Sequence, residues 1–412
     1  MTPVPRVAFF TDSFHEVNGV ALTSRQFESF ARRQRLPFLS VHCGPKDFFL
    51  NQEPAWTLEL RRGRAAFGLE HDLSCDPLLL CRRDRVAQVV SEFKPDLIHV
   101  TGPGDVGILG ACTAHSLRVP LTASWHTNLH EFAARRLERS LIGLPRQIRR
   151  SITGGVESAA LHCVLQFYRL ARLLFAPNPE LVELLQQRAG RPTCLMRRGI
   201  DTSLFSPVRR DSSDNVLTLG FVGRLSPEKN VRFLAQVERA LLNAGRCDFR
   251  FLIVGGGSEK QWLSEHLWHA EFPGVLSGET LARAYANMDI FVFPSETDTF
   301  GNVILEAMAS GVPAVVTADG GPKFLVESGE TGFVAHDEAG LLDCVLRLAD
   351  DPVLRRDMGD AARRHALHQS WDQIFENVYS AYGALLEGRS GDTGNSKQPS
   401  DYATSMAGCR AS

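Results

Sequence analysis

Residues 291–322, FVFPSETDTFGNVILEAMASGVPAVVTADGGP, constrain the fold of this chain more than any other stretch. The apolar run at 290–294 predicts a buried strand; a polar loop follows, then a helix over about residues 300–309. A Gly-Val-Pro turn at 311–313 stops that helix, a second apolar strand covers 314–317, and a Gly-Gly-Pro loop closes the unit. Strand, helix and parallel strand form the βαβ unit of a doubly wound sheet, where ligands bind at the carboxyl ends of the strands. The loop placed there carries Glu296, Thr297, Asp298 and Thr299 and runs into a helix N-terminus. Such a terminus exposes unpaired N–H groups and suits phosphate. Asp298 and Glu306 stand eight positions apart, which along a helix is roughly 12 Å. That is too far for two carboxylates to flank one bond as an acid and base. It suits two groups holding opposite ends of one elongated, hydroxyl-rich ligand.

The same alternation runs through the rest of the chain. Strand-like runs are expected at 7–10, 97–100, 121–124, 173–176 and 193–196. A second series falls at 217–222, 249–254, 290–293 and 314–317. Helical patterns separate most of them, for instance 19–32 and 231–243. Apolar strands alternating with helices argue for parallel sheets covered on both faces, and there are enough for two Rossmann-like sheets. A chain of 412 residues also exceeds one ordinary core. The polar, proline-containing passage at 201–215 is the expected break. The expected domains are 1–205 and 206–370, followed by a last helix at 371–387 with apolar residues Ile374, Phe375, Val378, Tyr379 and Tyr382 at helical spacing. Residues 388–412 are too polar to bury enough surface for order and are expected to form a disordered tail.

Composition narrows the class. Hydrophobic content of 44% and charge of 22% are globular values, and a net charge of −2 gives no reason to expect a nucleic-acid partner. The nine cysteines show neither C-x-x-C nor Cys/His ligand spacing, which favours a reducing cytosol and predicts no structural zinc. The chain opens almost directly on a strand with no signal-peptide pattern, and no run of about 18 apolar residues predicts a membrane span. A cytoplasmic protein, at most peripheral on the inner face of the plasma membrane, is expected.

Several strand-end loops carry charge or glycine. In GFVGRLSPEKN the strand ends at Gly223; Ser226 and Pro227 read as an N-cap and first helical position, with Arg224 and Lys229 beside them. Two cations at a helix N-terminus suit a diphosphate whose charge grows as it leaves. The first strand runs into TDSFHEVNGV, where Gly19 opens a helix and permits close approach to a phosphate. His126 ends the strand of SWHTNLHEF, with His130 and Glu131 one turn on as candidate acceptor contacts. VGGGSEK, at 254–260, lacks the spacing of a dinucleotide or P-loop motif and reads as a tight structural turn. Gly320, Gly321, Pro322 and Lys323 form another loop on the same crevice. Arg135, Arg136, Arg139, Arg146, Arg149 and Arg150, interleaved with apolar residues, have the composition of a surface that docks on anionic membranes.

These motifs carry a resemblance over about residues 5–386. The run T-D-T-F-G-N-V-I-L-E-A-M-A-S-G resembles the acidic-x7-Glu signature of retaining glycosyltransferases of family 4, with Asp298 where a Glu is usual. It is most similar to bacterial GDP-mannose-dependent lipid mannosyltransferases and sulfoquinovosyl transferases. The resemblance implies an α/β GT-B fold: two Rossmann-like domains with parallel sheets facing a central cleft, and a C-terminal helix crossing back to the N-terminal domain. It further implies that Arg224 and Lys229 hold the diphosphate of a nucleotide sugar and that Glu306 binds ribose hydroxyls. Asp298 and the backbone of Phe300, Gly301 and Asn302 would hold the sugar. His126 and Gly19 would complete the donor contacts, although Asn18-Gly19 replaces the usual Gly-Gly pair. The implied reaction is retaining transfer of a hexose to a hydroxyl acceptor, a lipid or a saccharide, with neither metal nor cofactor. Alternatives are a UDP-sugar-dependent transferase with a soluble acceptor, a GT-B epimerase or phosphorylase, and a non-catalytic sugar-nucleotide-binding module.

Overall fold

The computed structural model describes residues 4–16, 18–63, 67–70, 73–126, 128, 146–211 and 216–391. These form two compact units. One comprises Met1–Arg197 with Asp372–Ser412, the other Arg198–Trp371.

The first unit runs β1 (Val7–Thr11), α1 (Gly19–Arg33), β2 (Phe38–Gly44), β3 (Phe48–Leu50), β4 (Ala55–Arg61), a hairpin of β5 (Phe67–Glu70) and β6 (Leu73–Cys75), α2 (Arg83–Phe93), β7 (Leu97–Val100), α3 (Asp105–Leu117), β8 (Leu121–Ser124), α4 (Arg146–Tyr168), β9 (Leu173–Ala176), α5 (Pro179–Leu184) and β10 (Thr193–Leu195). Its main sheet has the order β10-β9-β8-β7-β1-β2-β4-β3, parallel except for the short edge strand β3. All five residues of β1 are buried, as expected of a central strand with helices on both faces, and this is why it reads as an unbroken apolar run.

The second unit runs β11 (Leu217–Val222), α6 (Leu234–Asn243), β12 (Phe249–Val254), α7 (Lys260–His266), β13 (Ala270–Gly274), α8 (Gly278–Ala286), β14 (Ile290–Phe293), α9 (Asn302–Ala309), β15 (Ala314–Thr317), β16 (Gly332–Ala335), α10 (Glu338–Asp350) and α11 (Pro352–Leu367). Its six strands are all parallel in the order β13-β12-β11-β14-β15-β16. In both sheets the first strand sits in the middle and the chain reverses direction beside it. Each unit therefore has a topological switch point, between β1 and β7 and between β11 and β14, where loops diverge and leave a crevice.

The compact second unit begins at Arg198, earlier than the residue 206 read from composition. The passage that looked like a linker is packed down. Arg363 donates to the carbonyls of Thr202 and Phe205, the Ile200 N–H donates to Gln369, and a Cβ on Gly199 would lie 2.4 Å from the Trp371 nitrogen. The last helix, α12 (Trp371–Gly391), returns the chain to the first unit. Phe375 stacks on Phe27 with centroids 4.5 Å apart, and Asp372 pairs with Arg33 at 2.5 Å. The tail expected at 388–412 lies beyond the described residues from 392 onward.

Candidate active site

At the switch point of the second unit, β11 ends and the chain passes Gly223 and Arg224 into a 3-10 turn, Pro227–Lys229. Here the structure corrects the sequence reading. The Ser226 hydroxyl makes no capping bond and is buried without a hydrogen-bond partner. The α-helix starts only at Leu234, because Asn230 adopts φ 51° and divides the segment into two 3-10 turns. Lys229 thus stands on a short tight turn, where its side chain reaches across to the loop after β14.

That loop supplies Asp298. The Lys229 ammonium lies 2.6 Å from Asp298 Oδ1, with both side chains mostly buried. Burial works to raise the Asp298 carboxyl, but the Lys229 charge and hydrogen bond, with Arg224 further off, outweigh it and hold its pKa below the ordinary value. Asp298 Oδ2 and the hydroxyl of Ser295 are buried with no hydrogen-bond partner of normal geometry. Arg224 is about two-fifths exposed and sits 3.8 Å from Glu228.

The loop then enters α9 through Gly301, whose φ of 99° only glycine adopts readily. No side chain caps this helix, so its first-turn N–H groups point out of the sequence Phe300-Gly301-Asn302. Phe300 is buried, and the guanidinium of Arg198 lies 5.9 Å from its ring centroid. Burial of Arg198 lowers its pKa to about 10. One turn into α9, Glu306 is buried; burial pushes its pKa up to about 7, an effect the Tyr285 hydroxyl opposes.

Two glycine loops support these groups. A Cβ on Gly321 would fall 2.1 Å from the Thr299 carbonyl oxygen, and the Gly321 N–H donates to the Asp298 carbonyl at 2.6 Å. Gly320 and Gly321 thus brace the Asp298 loop from behind. Gly255 and Gly257 do the same for the Arg224 loop, where Cβ atoms would lie 1.9 Å from Gly223 O and 2.3 Å from Leu225 O. The 254–260 segment is a structural turn, as its spacing suggested. Lys323 lies over Phe324, 5.2 Å from the ring centroid. A small open hollow at the ends of β14, β15 and β16 is lined by Glu296, Asp319, Asp337 and Glu338 among others. Four carboxylates make it a poor home for a diphosphate.

In the first unit, Gly19 is the exposed first residue of α1, and Asn18 caps that helix by accepting from the Ala21 N–H at 2.9 Å. The Asn18-Gly19 pair therefore secures the helix start that a second glycine would leave loose. His126 follows β8 and is buried. A hydrogen-bond chain fixes its ring. Tyr382 of α12 is fully buried, so its phenol proton needs an acceptor, and His99 Nδ1 lies 2.7 Å away. Burial pulls the His99 pKa down to about 3, leaving the ring neutral. His99 Nδ1 also lies 3.1 Å from the Thr122 hydroxyl, His99 Nε2 is hydrogen-bonded to Ser124 Oγ at 2.9 Å, and Ser124 Oγ to His126 Nε2 at 2.6 Å. The His126 ring is thereby held in place through Nε2. Neither Ser124 nor His99 stood out in the sequence, since both sit inside apolar strands. His130, Glu131, Arg135, Arg136 and Arg139 lie outside the described residues, as do the side chains of Arg146, Arg149 and Arg150. Among the described residues no helix is long and apolar enough to cross a membrane.

Comparison with known proteins places this architecture. Residues 40–204 match the family described as Glycosyltransferase Family 4, and residues 217–351 match Glycosyl transferases group 1. The chain is 34% identical over 318 residues to the GDP-mannose-dependent alpha-mannosyltransferase of Mycolicibacterium smegmatis, covering 75% of this chain and 78% of that protein. It is 31% identical to the sulfoquinovosyl transferase of Arabidopsis thaliana over 74% of this chain and 60% of the relative. Sucrose-phosphate synthase from Thermosynechococcus elongatus superposes with a TM-score of 0.71 at 20% identity, covering 93% of this chain and 99% of that one. The fold is GT-B.

Proposed function

This chain belongs to the glycosyltransferases of family 4, and from that premise we propose that it transfers a mannosyl group from GDP-mannose, with retention of configuration, to a hydroxyl on a lipid acceptor. As a glycosyltransferase it uses a nucleotide-sugar donor and an acceptor; the mannosyl identity follows the name of its Mycolicibacterium relative. The observation that carries the reading is the second switch point: Lys229 and Arg224 on one loop, Asp298 on the other, and an uncapped helix start beside them.

Lys229 exchanges its Asp298 partner for the donor's diphosphate, and Arg224 joins it as negative charge grows on the leaving group. The exchange frees Asp298 for hydroxyls of the sugar, which also meets the N–H groups of Phe300, Gly301 and Asn302. Glu306 accepts from the ribose hydroxyls. His126 and Gly19, both on the first unit, are the further donor contacts that the family resemblance implies. The acceptor attacks the face from which the diphosphate departs, and a leaving phosphate oxygen takes the acceptor proton, so no protein nucleophile is required. Two side-chain cations and the α9 N–H groups carry the charge that a divalent ion would otherwise take. A peripheral position on the cytoplasmic face of a membrane belongs to the same proposal, resting on the arginine-rich segment, and co-sedimentation with anionic vesicles at low salt tests it.

The test of the activity is a donor screen with purified protein, following nucleoside diphosphate release with and without extracted lipid. GDP release from GDP-mannose that rises with acceptor is expected, with the α-anomer in the product by NMR. Release from UDP-sugars alone would overturn the donor, and a β-linked product would overturn retention.

A further inference from the structure

A second cluster of chemistry-bearing residues lies in the first unit, apart from the groups given roles above. His42 and Glu59 are register partners on the neighbouring parallel strands β2 and β4. The loop leaving β1 brings His15 onto the same spot. We propose that His15, His42 and Glu59 form a binding site for one zinc-type divalent cation.

The geometry is that of a three-ligand site. His15 Nε2 lies 3.0 Å and His42 Nε2 3.7 Å from the same carboxylate oxygen, Glu59 Oε2, and all three donor atoms lie within 4.8 Å of one another. Donor atoms around a tetrahedral zinc ion, each about 2.0–2.1 Å from the metal, are spaced about 3.4 Å apart. The two distances to Glu59 Oε2 bracket that spacing, and the two imidazoles, at most 4.8 Å apart, close on an ion by rotation of His15, the exposed member of the three. One imidazole satisfies Glu59 Oε2, whereas the second is held at 3.7 Å, beyond hydrogen-bond length.

The surroundings are arranged as a second layer around metal ligands usually is. Glu59 Oε1 accepts from the Lys46 N–H at 3.2 Å, which leaves Oε2 directed at the two histidines. His42 Nδ1 is 3.3 Å from the Ser40 hydroxyl, which orients Nε2 inward, and Phe14 stacks on the His42 ring at 3.9 Å. Gly44 makes room for the carboxylate: a Cβ there would sit 2.2 Å from Glu59 Cδ. His42 and Glu59 are buried while the His15 side chain is 47% exposed, so an ion enters from the His15 side and keeps an outward position for water. Two imidazoles with one carboxylate favour zinc over calcium or magnesium, which prefer all-oxygen sets. A bound ion would tie the β1–α1 loop, which ends at Asn18 and Gly19, to β2 and β4.

The test uses tag-free, full-length protein stripped with a chelator and titrated with Zn2+ by calorimetry, with Co2+ absorption as a report of coordination. One equivalent binding at micromolar or tighter affinity is expected, with a rise in Tm on adding Zn2+. His15→Ala should weaken binding by about tenfold or more, the scale at which even outer partners of a metal site act. Because His15 is half exposed, that variant should keep the metal-free Tm; Glu59→Gln should also abolish the zinc-dependent rise. No saturable binding by the parent chain, or undiminished binding by His15→Ala with the ion held elsewhere, for instance by exposed cysteines, would overturn the site.

Discussion

The two units share a topology and differ in what they place at its switch point. Beside β11, the two cations are matched by two carboxylates: Lys229 pairs with Asp298, whose pKa it and the more distant Arg224 hold down, and Arg224 lies 3.8 Å from Glu228. Beside β1, carboxylates dominate. Asp12 accepts from the Val106 and Gly107 N–H groups at the start of α3, and Asp105 pairs with Arg62. Burial, with Asp105 adding to it, pushes the Asp12 pKa up to about 7. In the first unit the α3 N-terminus that could meet a phosphate is thus occupied by the protein's own carboxylate. In the second, the α9 N-terminus carries no side-chain cap. Strand order determines where a crevice forms, and the loop residues determine which ligand it accepts.

The largest expected effect breaks this contrast at its cationic side. Lys229→Ala and Arg224→Ala should each lower turnover with GDP-mannose by about 3 kcal/mol in barrier, or roughly a hundredfold, as loss of one preorganised charge stabiliser does. Turnover close to the parent value in both would remove the clamp from the account.

A sharper test separates the acidic residues of the second unit. Glu306→Gln should weaken binding of free GDP, while Asp298→Asn should leave it nearly intact and impair transfer. Calorimetry decides, and equal loss in both variants would contradict the division between ribose and sugar.

The raised Glu306 pKa has a stability signature of definite sign. The folded value of about 7 exceeds the ordinary 4.5, so the native state holds a proton that the unfolded chain gives up. The resulting stability is complete below about pH 4.5 and is lost as pH rises through about 7. It amounts to roughly 3 kcal/mol at most. Urea denaturation of the parent and Glu306→Gln should show that variant losing less stability across this window. Parallel curves would mean that Glu306 titrates normally.

The smallest expected effect lies in the first unit. Tyr382→Phe removes the hydroxyl bonded to His99 at the head of the chain to Ser124 and His126, at about 1 kcal/mol of stability. It should shift the His126 ring nitrogen resonances and lower kcat more than it raises KM. Unchanged resonances would show that the chain does not set the ring.

The core strands were legible because burial on both faces leaves little choice of residue. The runs at 97–100, 121–124, 173–176 and 217–222 match observed strands residue for residue. Strands β2 and β4 were missed, since His42, Glu59 and Ser40 interrupt their apolar pattern, and β16, GFVA, is too short to stand out. The second-unit site was legible as a motif because a helix N-terminus, a glycine and two acids fall within one βαβ unit. Ser226 misled, because Ser-Pro has the same appearance before a 3-10 turn as before an α-helix. Arg198, Tyr285 and the Tyr382–His99–Ser124 chain were not legible. Their roles depend on contacts between segments far apart in sequence, such as the 2.7 Å bond from Tyr382 to His99.

The contrast between the two switch points is tested most directly by titrating GDP into three proteins: the parent, Lys229→Ala and Asp12→Asn. The account predicts one site in the parent, binding weakened by about a hundredfold in Lys229→Ala, as expected for a lost charge-assisted contact, and near-parent affinity in Asp12→Asn. Parent-like affinity in Lys229→Ala together with loss in Asp12→Asn would place the nucleotide on the first unit and contradict the account.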